Sequence, residues 1–220
     1  MAAKVIQQKL FSVDPSLTCS GWALFSIQTG DVLGVGKVKS LPSTVSLAKR
    51  LVDIQERIVQ ILEQVDLKEG DFLVCEAATT MRDPRSALIL EQIRGMFETL
   101  ARSREVCVPG RVHPRSVQHE ILGLKGAQVS RVKVKDIATH GVSRLYAAEL
   151  QKIGFDVEPT NLKKNQDIVD ALLVGRLALT RINVAEQTGV GVDTLFEESQ
   201  RQRRSGMRQI MKIKTEMQCS

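Results

Sequence analysis

Two largely apolar segments of the chain each end at an acidic residue, and this pattern constrains the fold most. The segment 9–13, Lys-Leu-Phe-Ser-Val, stops at Asp14 before a proline, and the segment 71–75, Asp-Phe-Leu-Val-Cys, stops at Glu76. The second segment lacks alternation, which is typical of a strand covered on both faces. In sheets with helical crossovers, ligands gather beyond the carboxyl ends of the strands. If the two strands are parallel neighbours, Asp14 and Glu76 lie side by side at that edge.

The remaining periodicity predicts an α/β fold. Residues 22–27 and 32–38 are predicted to form two further strands, with a turn at Thr29-Gly30-Asp31 between them. Apolar residues at helical spacing predict a helix over 43–65. Further helices are predicted over 84–102, 115–122, 130–152 and 165–182, with a weaker strand over 106–112. This order favours a mixed five-stranded sheet, an antiparallel meander plus parallel strands, flanked by helices.

Positive charge is concentrated near the C-terminal end. Residues 201–220 contain six basic residues and one acidic residue, so they carry +5 of the net charge of +6. A basic segment suits a polyanion such as DNA, although a solvated chain end has the same composition. We expect a domain over 1–185 and a basic appendage over 186–220, either partly disordered or with a helix over 197–214.

The cysteine pattern and the hydropathy favour a reducing, aqueous compartment. The four cysteines have no CxxC spacing, which argues against a zinc ribbon, and no apolar stretch is long enough to cross a membrane. The N-terminal residues have no signal-peptide pattern. We therefore expect a cytoplasmic, nucleoid-associated protein that does not contact a membrane.

Two further acidic residues extend the pair at the predicted sheet edge. Asp167 and Asp170 are three residues apart near the start of the last predicted helix, so they share one face. Taken singly, Asp14 could be a turn former, and Asp167 and Asp170 could be favourable charges in a first helical turn. Asp170, however, lies in an apolar segment where a buried carboxylate needs a partner.

Four carboxylates at one point repel one another unless cations or protons neutralise them. Hard oxygen ligands select Mg²⁺, with Mn²⁺ as a substitute. Two such ions roughly 4 Å apart are suited to phosphodiester hydrolysis. The sequence therefore predicts a two-metal site for Mg²⁺ at Asp14, Glu76, Asp167 and Asp170.

The chain resembles the RuvC family of Holliday junction resolvases over residues 8–182. The resemblance lies in four stretches: Phe11-Ser12-Val13-Asp14-Pro15-Ser16 with Ser20-Gly21-Trp22-Ala23, Leu73-Val74-Cys75-Glu76, Ser86 to Gly95, and Asp167-Ile168-Val169-Asp170-Ala171-Leu172. It departs from the family pattern at Ser16, where glycine is usual, and at Thr79, where bacterial members often carry an aromatic residue. Met81 could take the place of that aromatic as an apolar wedge, although an ordinary loop methionine explains it as well. A divergent, phage-encoded member fits these departures.

The resemblance implies an RNase H-like nuclease domain and a homodimer that binds a four-way DNA junction. It implies a crossover junction endodeoxyribonuclease of DNA recombination and repair, which makes paired nicks. It casts the four acidic residues as metal ligands and places the helix over 84–102 at the dimer interface. Gly95 would then permit close approach of two helices.

Basic residues near the predicted metal edge are candidates for DNA contact. Phosphate contacts position DNA without reading its sequence, and a lysine can also stabilise charge on a scissile phosphate, the role expected of Lys133 or Lys135. A solvated helix face is the alternative. The candidate DNA-binding residues are Arg82, Arg85, Lys125, Arg131, Lys133 and Lys135.

Three other functions remain to be weighed against a junction-resolving nuclease. One is a catalytically weak RNase H-like adaptor that only binds DNA, and another is a nuclease that acts on other branched DNA. The third is an actin-like ATPase, which needs a second related domain for which 220 residues leave no room. The presence of all four acidic residues argues against the adaptor.

Overall fold

The structure is a computed structural model that describes residues 8–78, 83–124 and 129–197. Its strands are β1 Lys9–Asp14, β2 Cys19–Ser26, β3 Val32–Lys39, β4 Phe72–Glu76 and β5 Arg111–Val112. Its helices are α1 Leu47–Gln64, α2 Pro84–Arg102, α3 Pro114–Ser116 with a π-helical turn Val117–Ile121, α4 Arg131–Lys152, α5 Pro159–Lys164 and α6 Gln166–Thr188. None of the helices described is both long enough and apolar enough to span a membrane.

The five strands form one mixed sheet in the order β3-β2-β1-β4-β5. Strand β2 is antiparallel to both β1 and β3, whereas β4 is parallel to β1 and to β5. The predicted mixed five-stranded sheet, with its meander and its parallel strands, is therefore confirmed.

Successive side chains along each strand point to opposite faces of the sheet, and the core therefore has two layers. On β1, Phe11 and Val13 pack on the side of α1 and α2, and Leu10 packs on the side of α4 and α6. Both faces are covered by helices, which is why β4 is apolar at every position before Glu76 and why β1 is buried from Leu10 to Val13.

Helix α6 lies close against the sheet because small side chains leave it room. A β-carbon at Gly175 would overlap the ring of Phe25 on β2. The hydroxyl of Ser12 on β1 donates to the carbonyl oxygen of Ala171 at 2.8 Å, so a buried polar group is satisfied across the contact. This contact fixes the position of α6 along the sheet.

Some element boundaries differ from the prediction. Strand β5 has two residues instead of the seven of 106–112, because Pro109 has no amide proton and Gly110 turns the backbone at φ 151°. Helix α1 begins at Leu47, later than 43, and α5 was not predicted. Asn165 precedes α6 but does not cap it with its side chain, which donates to Asn161 instead.

Helix α6 also extends past the predicted end at 182. It stops at Thr188, where Gly189 takes the left-handed conformation that commonly ends helices. A further helical turn covers 192–197, and Phe196 in this turn is buried in the core, with the guanidinium of Arg181 5.4 Å from its ring centre. The division at residue 185 and the basic helix over 197–214 stay predictions, because residues 198–220 lie outside the described part.

Candidate metal centre

Four positions in one row cross the sheet at the carboxyl end of β1. Asp14 closes β1 and pairs with Gly21 on β2, and Gly21 pairs with Lys37 on β3. On the other side of β1, the parallel register places Asp14 next to Glu76, the last residue of β4. Paired residues project from the same face of a sheet, which here is the face covered by α6. Asp14 and Glu76 are therefore neighbours, as the sequence predicted, and their carboxyl groups are hydrogen-bonded to each other.

The first turn of α6 completes the acidic cluster. A β-carbon at Gly21 would overlap the backbone carbonyl of Asp167, so the helix rests directly on the backbone of β2. Asp167 and Asp170, three residues apart on that helix, both lie near enough to Asp14 to raise its pKa through their charge. The four acidic residues singled out in the sequence therefore meet at one edge of the sheet.

Burial and mutual repulsion raise the pKa of three of these carboxyl groups. At Asp14 burial is the largest cause, followed by the charges of Glu76 and Asp170, and the pKa lies well above its ordinary value. Burial and then the charge of Asp170 raise the pKa of Glu76 to about 7. Burial also raises the pKa of Asp170 to about 6. Each of these groups would be ionised more easily beside a cation.

The fourth carboxylate is held by side chains that sequence reasoning missed. Oδ2 of Asp167 lies 3.2 Å from Nζ of Lys37 on β3. The thiol of Cys19, at the start of β2, also contacts Asp167; burial and then this hydrogen bond raise the pKa of the thiol. Asp167 thus lies between the other acidic side chains and the ammonium group of Lys37.

A buried arginine fixes the backbone that carries Glu76. Arg94 on α2 is 1% exposed, and its Nε donates to the backbone carbonyl of Glu76 at 2.7 Å. Its charge is balanced by Glu91, which also binds Arg111 on β5 at 2.8 Å. The end of β4 is therefore anchored to α2 by a hydrogen bond to a charged group, which is stronger than a neutral one.

The donor set fits a hard divalent cation by its chemistry. Four carboxylates supply oxygen ligands of the kind that Mg²⁺ and Mn²⁺ prefer, and burial raises the pKa of three of them, Asp14, Glu76 and Asp170. Across 8–78, 83–124 and 129–197, no three His, Cys, Asp or Glu side chains yet surround one point closely enough to hold a metal ion. Asp14 and Glu76 bond to each other, and Asp167 bonds to Lys37.

The predicted basic residues are distributed unevenly around this site. Arg131 and Lys135 on α4 lie near enough to Asp170 for their charges to lower its pKa against the effect of burial. Lys133 is exposed on the same helix, and Arg85 is exposed in the first turn of α2. Arg82 and Lys125 lie outside the described residues, as do Thr79 and Met81.

Solved structures share this architecture. Thermus thermophilus RuvC is similar at a TM-score of 0.56 and 16% identity, over 82% of this chain and 97% of that one. A second T. thermophilus structure, RuvC in complex with a Holliday junction substrate, gives a TM-score of 0.54 at 15% identity, over 82% and 96%. This chain has the RuvC fold. The RuvC fold is RNase H-like, which confirms the predicted fold class.

A more distant similarity extends to a viral protein. The fowlpox virus Holliday junction resolvase matches at a TM-score of 0.48 and 13% identity, over 80% of this chain and 99% of that chain. No protein-family model matches the sequence, and neither does any curated protein. The similarity to RuvC is therefore a similarity of three-dimensional fold.

Proposed function

We propose that the chain is a metal-dependent, structure-selective endonuclease that resolves four-way DNA junctions. The observation that supports this most directly is the meeting of four carboxyl groups at the sheet edge of a RuvC-like fold. One of the similar RuvC structures is described as a complex with a Holliday junction substrate. The protein would then act in DNA recombination and repair in the cytoplasm, close to the nucleoid.

In this proposal Asp14, Glu76, Asp167 and Asp170 hold two Mg²⁺ ions, for which Mn²⁺ can substitute. Such a pair of ions supplies an activated water and charge neutralisation for the leaving 3′ oxygen. Asp14 and Glu76 would bind and orient these ions. Arg94 holds the end of β4 in place through its hydrogen bond to the backbone carbonyl of Glu76. Burial of the cluster lowers the local dielectric, so each charge acts more strongly than in water.

Basic residues beside the cluster would hold the DNA backbone. This is supported by Arg131 and Lys135, which lie near enough to Asp170 for their charges to lower its pKa. Lys133 and Lys135 are proposed to stabilise charge on the scissile phosphate, with Lys133 reaching it from an exposed position on α4. Further phosphate contacts are proposed for Arg82, Arg85, Lys125 and Arg131.

A homodimer paired through α2 is part of the proposal. Leu88 on this helix is 71% exposed, a large apolar side chain left in solvent by the single chain. A β-carbon at Gly95, two turns further along, would meet nothing within 4 Å, so this side of the helix is open. Two copies that pair here would place two cleavage sites on one junction, as paired nicks require.

Cleavage assays with defined substrates test the proposal. Purified protein is incubated with four-way, forked and linear duplex DNA, with Mg²⁺ or with a chelator. The four-way junction should be cut only with the metal. Asp14→Asn should abolish cutting and keep junction binding, because it removes a metal ligand and leaves the basic surface intact.

A matched control is Asp31→Asn, since Asp31 is exposed at the turn between β2 and β3. This variant should cut as the wild type does. Equal cutting of linear duplex, or retained cutting by Asp14→Asn, would contradict the proposal. Junction binding with no cutting by the wild type would favour the adaptor, and preferred cutting of forks would favour a nuclease for other branched DNA.

A further inference from the structure

Lys37 is the cationic member of the row that carries Asp14 and Glu76. A β-bulge between Leu24 and Phe25 shifts the register of β2 and β3, and this shift brings Lys37 opposite Gly21. Since Gly21 has no side chain, the space above it is filled by the first turn of α6. The Lys37 side chain projects from the same face as Asp14 and meets that turn at Asp167.

The contact between Lys37 and Asp167 is partly shielded from solvent. The side chain of Lys37 is 17% exposed and that of Asp167 is 35% exposed, with 3.2 Å between Nζ and Oδ2. Partly buried pairs are screened by salt less than surface pairs. Lys39, two residues along the same strand, is exposed. Lys37 is thus distinguished from its neighbour by where the strand register places it.

We propose that Lys37 competes with a divalent cation for Asp167, so that metal binding requires the exchange of this ammonium group for the ion. The inference rests on the proposed metal site and adds the residue that sets its affinity. One carboxylate oxygen paired with an ammonium is poorly available to a second cation.

Electrostatics fix the direction of the effect. An ammonium group that stays about 5 Å from a divalent ion opposes its binding by about tenfold in affinity even at the dielectric constant of water, and one that moves away gives up its ion pair with Asp167. Removal of the ammonium also frees Asp167, which strengthens metal binding further. Without Lys37, the side chain of Asp167 is less well ordered, which weakens metal binding. The entropy cost of ordering one aspartate side chain is smaller than the repulsion between the ammonium and the ion.

The full chain is titrated with Mn²⁺ alone, without DNA. Binding is measured by calorimetry and by the electron paramagnetic resonance signal of the bound ion. Lys37→Met should bind Mn²⁺ about tenfold more tightly than the wild type. Lys37→Arg, which keeps the charge, should bind as the wild type does. Lys39→Met removes the same charge two residues away and should change the affinity by about twofold at most, because exposed charges are screened.

Equal or weaker Mn²⁺ binding by Lys37→Met, with an unfolding transition like that of the wild type, would overturn the inference. Lys37→Gln serves as a second variant in case Lys37→Met does not fold. The proposed function fails differently, because then neither the wild type nor the lysine variants bind Mn²⁺. Asp14→Asn in the same titration should lose binding, which ties the signal to the acidic cluster.

Discussion

Protons replace missing positive charge at the acidic cluster when no metal is bound. Burial is the main cause that raises the pKa of Glu76 from 4.5 to about 7 and the pKa of Asp170 from 3.8 to about 6. In the unfolded chain both groups ionise near their ordinary values. At pH values between the ordinary pKa and the raised pKa of each group, the folded state binds more protons than the unfolded state. Rising pH therefore lowers the stability of the folded state.

This linkage predicts how the metal-free protein responds to pH. From about pH 5 to about pH 8 in chelator, the free energy of unfolding should fall by on the order of 4 kcal/mol, because most of both pKa shifts lies in this range and each pKa unit corresponds to about 1.4 kcal/mol. Urea denaturation at both pH values measures it. Mg²⁺ added at the higher pH should restore the loss.

Glu76→Gln is the matched variant for this measurement. The amide has no proton to lose, so its stability should change less with pH than that of the wild type. A metal-free protein equally stable at both pH values would contradict the buried, proton-sharing description of the cluster.

Sequence reasoning at the residue scale located the acidic side chains and missed their partners. Asp14 and Glu76 could be placed because each ends an apolar strand. The position of Lys37 could not be predicted. If residues of β2 and β3 are paired one by one from the turn at Gly30, Gly36 comes opposite Gly21. The β-bulge after Leu24 shifts the register by one residue and puts Lys37 there instead. Arg94 was also missed, because a helix sequence does not reveal which strand end its side chain reaches.

At the element scale, α6 depends on a close approach to β2. The helix needs the missing side chain of Gly21 beneath its first turn, and the missing side chain of Gly175 beside Phe25 further along. Periodicity predicted the helix, and its acidic face followed from spacing. How near it lies to the sheet could not be predicted, since that depends on packing between distant chain segments, such as Ser12 and Ala171, which are 159 residues apart.

The contact at Gly21 gives a prediction for α6. Gly21→Ala should displace the first turn of the helix, which lowers stability by about 1–3 kcal/mol and weakens Mn²⁺ binding through misplaced Asp167. Thermal unfolding and the Mn²⁺ titration measure the two effects.

Gly95→Ala is the matched control for this change. Open space surrounds that position, and alanine is favoured over glycine in a helix by about 1 kcal/mol. Its Mn²⁺ affinity should equal that of the wild type. If Gly21→Ala bound Mn²⁺ as tightly as the wild type, the close packing of α6 on β2 would not be needed for metal binding.

At the scale of the whole molecule, the folded body and its basic end differ in charge. Residues 198–220 contain six basic and two acidic residues. The packing of Phe196 against Gly110 and Arg181 places the last described residues within the body. A truncation that spares the core must therefore begin after Glu197, whereas one at 183 would remove the last turn of α6 and the buried ring.

Truncation after Glu197 should weaken binding to four-way junctions and flatten its dependence on salt. Each lost phosphate contact lowers the slope of log affinity against log salt by about 0.9. Fluorescence anisotropy across a range of salt concentrations measures this slope.

A full-length variant with the six basic residues changed to glutamine should behave like the truncation. An unchanged slope in both would show that the basic end takes no part in DNA binding. Unfolding curves for both variants should match that of the wild type, since the buried ring of Phe196 remains in each.

The seat of α6 on Gly21 also has a genetic consequence. Glycine alone among the amino acids lacks a β-carbon, so every missense change of this codon introduces the atom that collides with the helix backbone. A saturation library sorted for function should return one amino acid at position 21, whatever tolerance the neighbouring codons display.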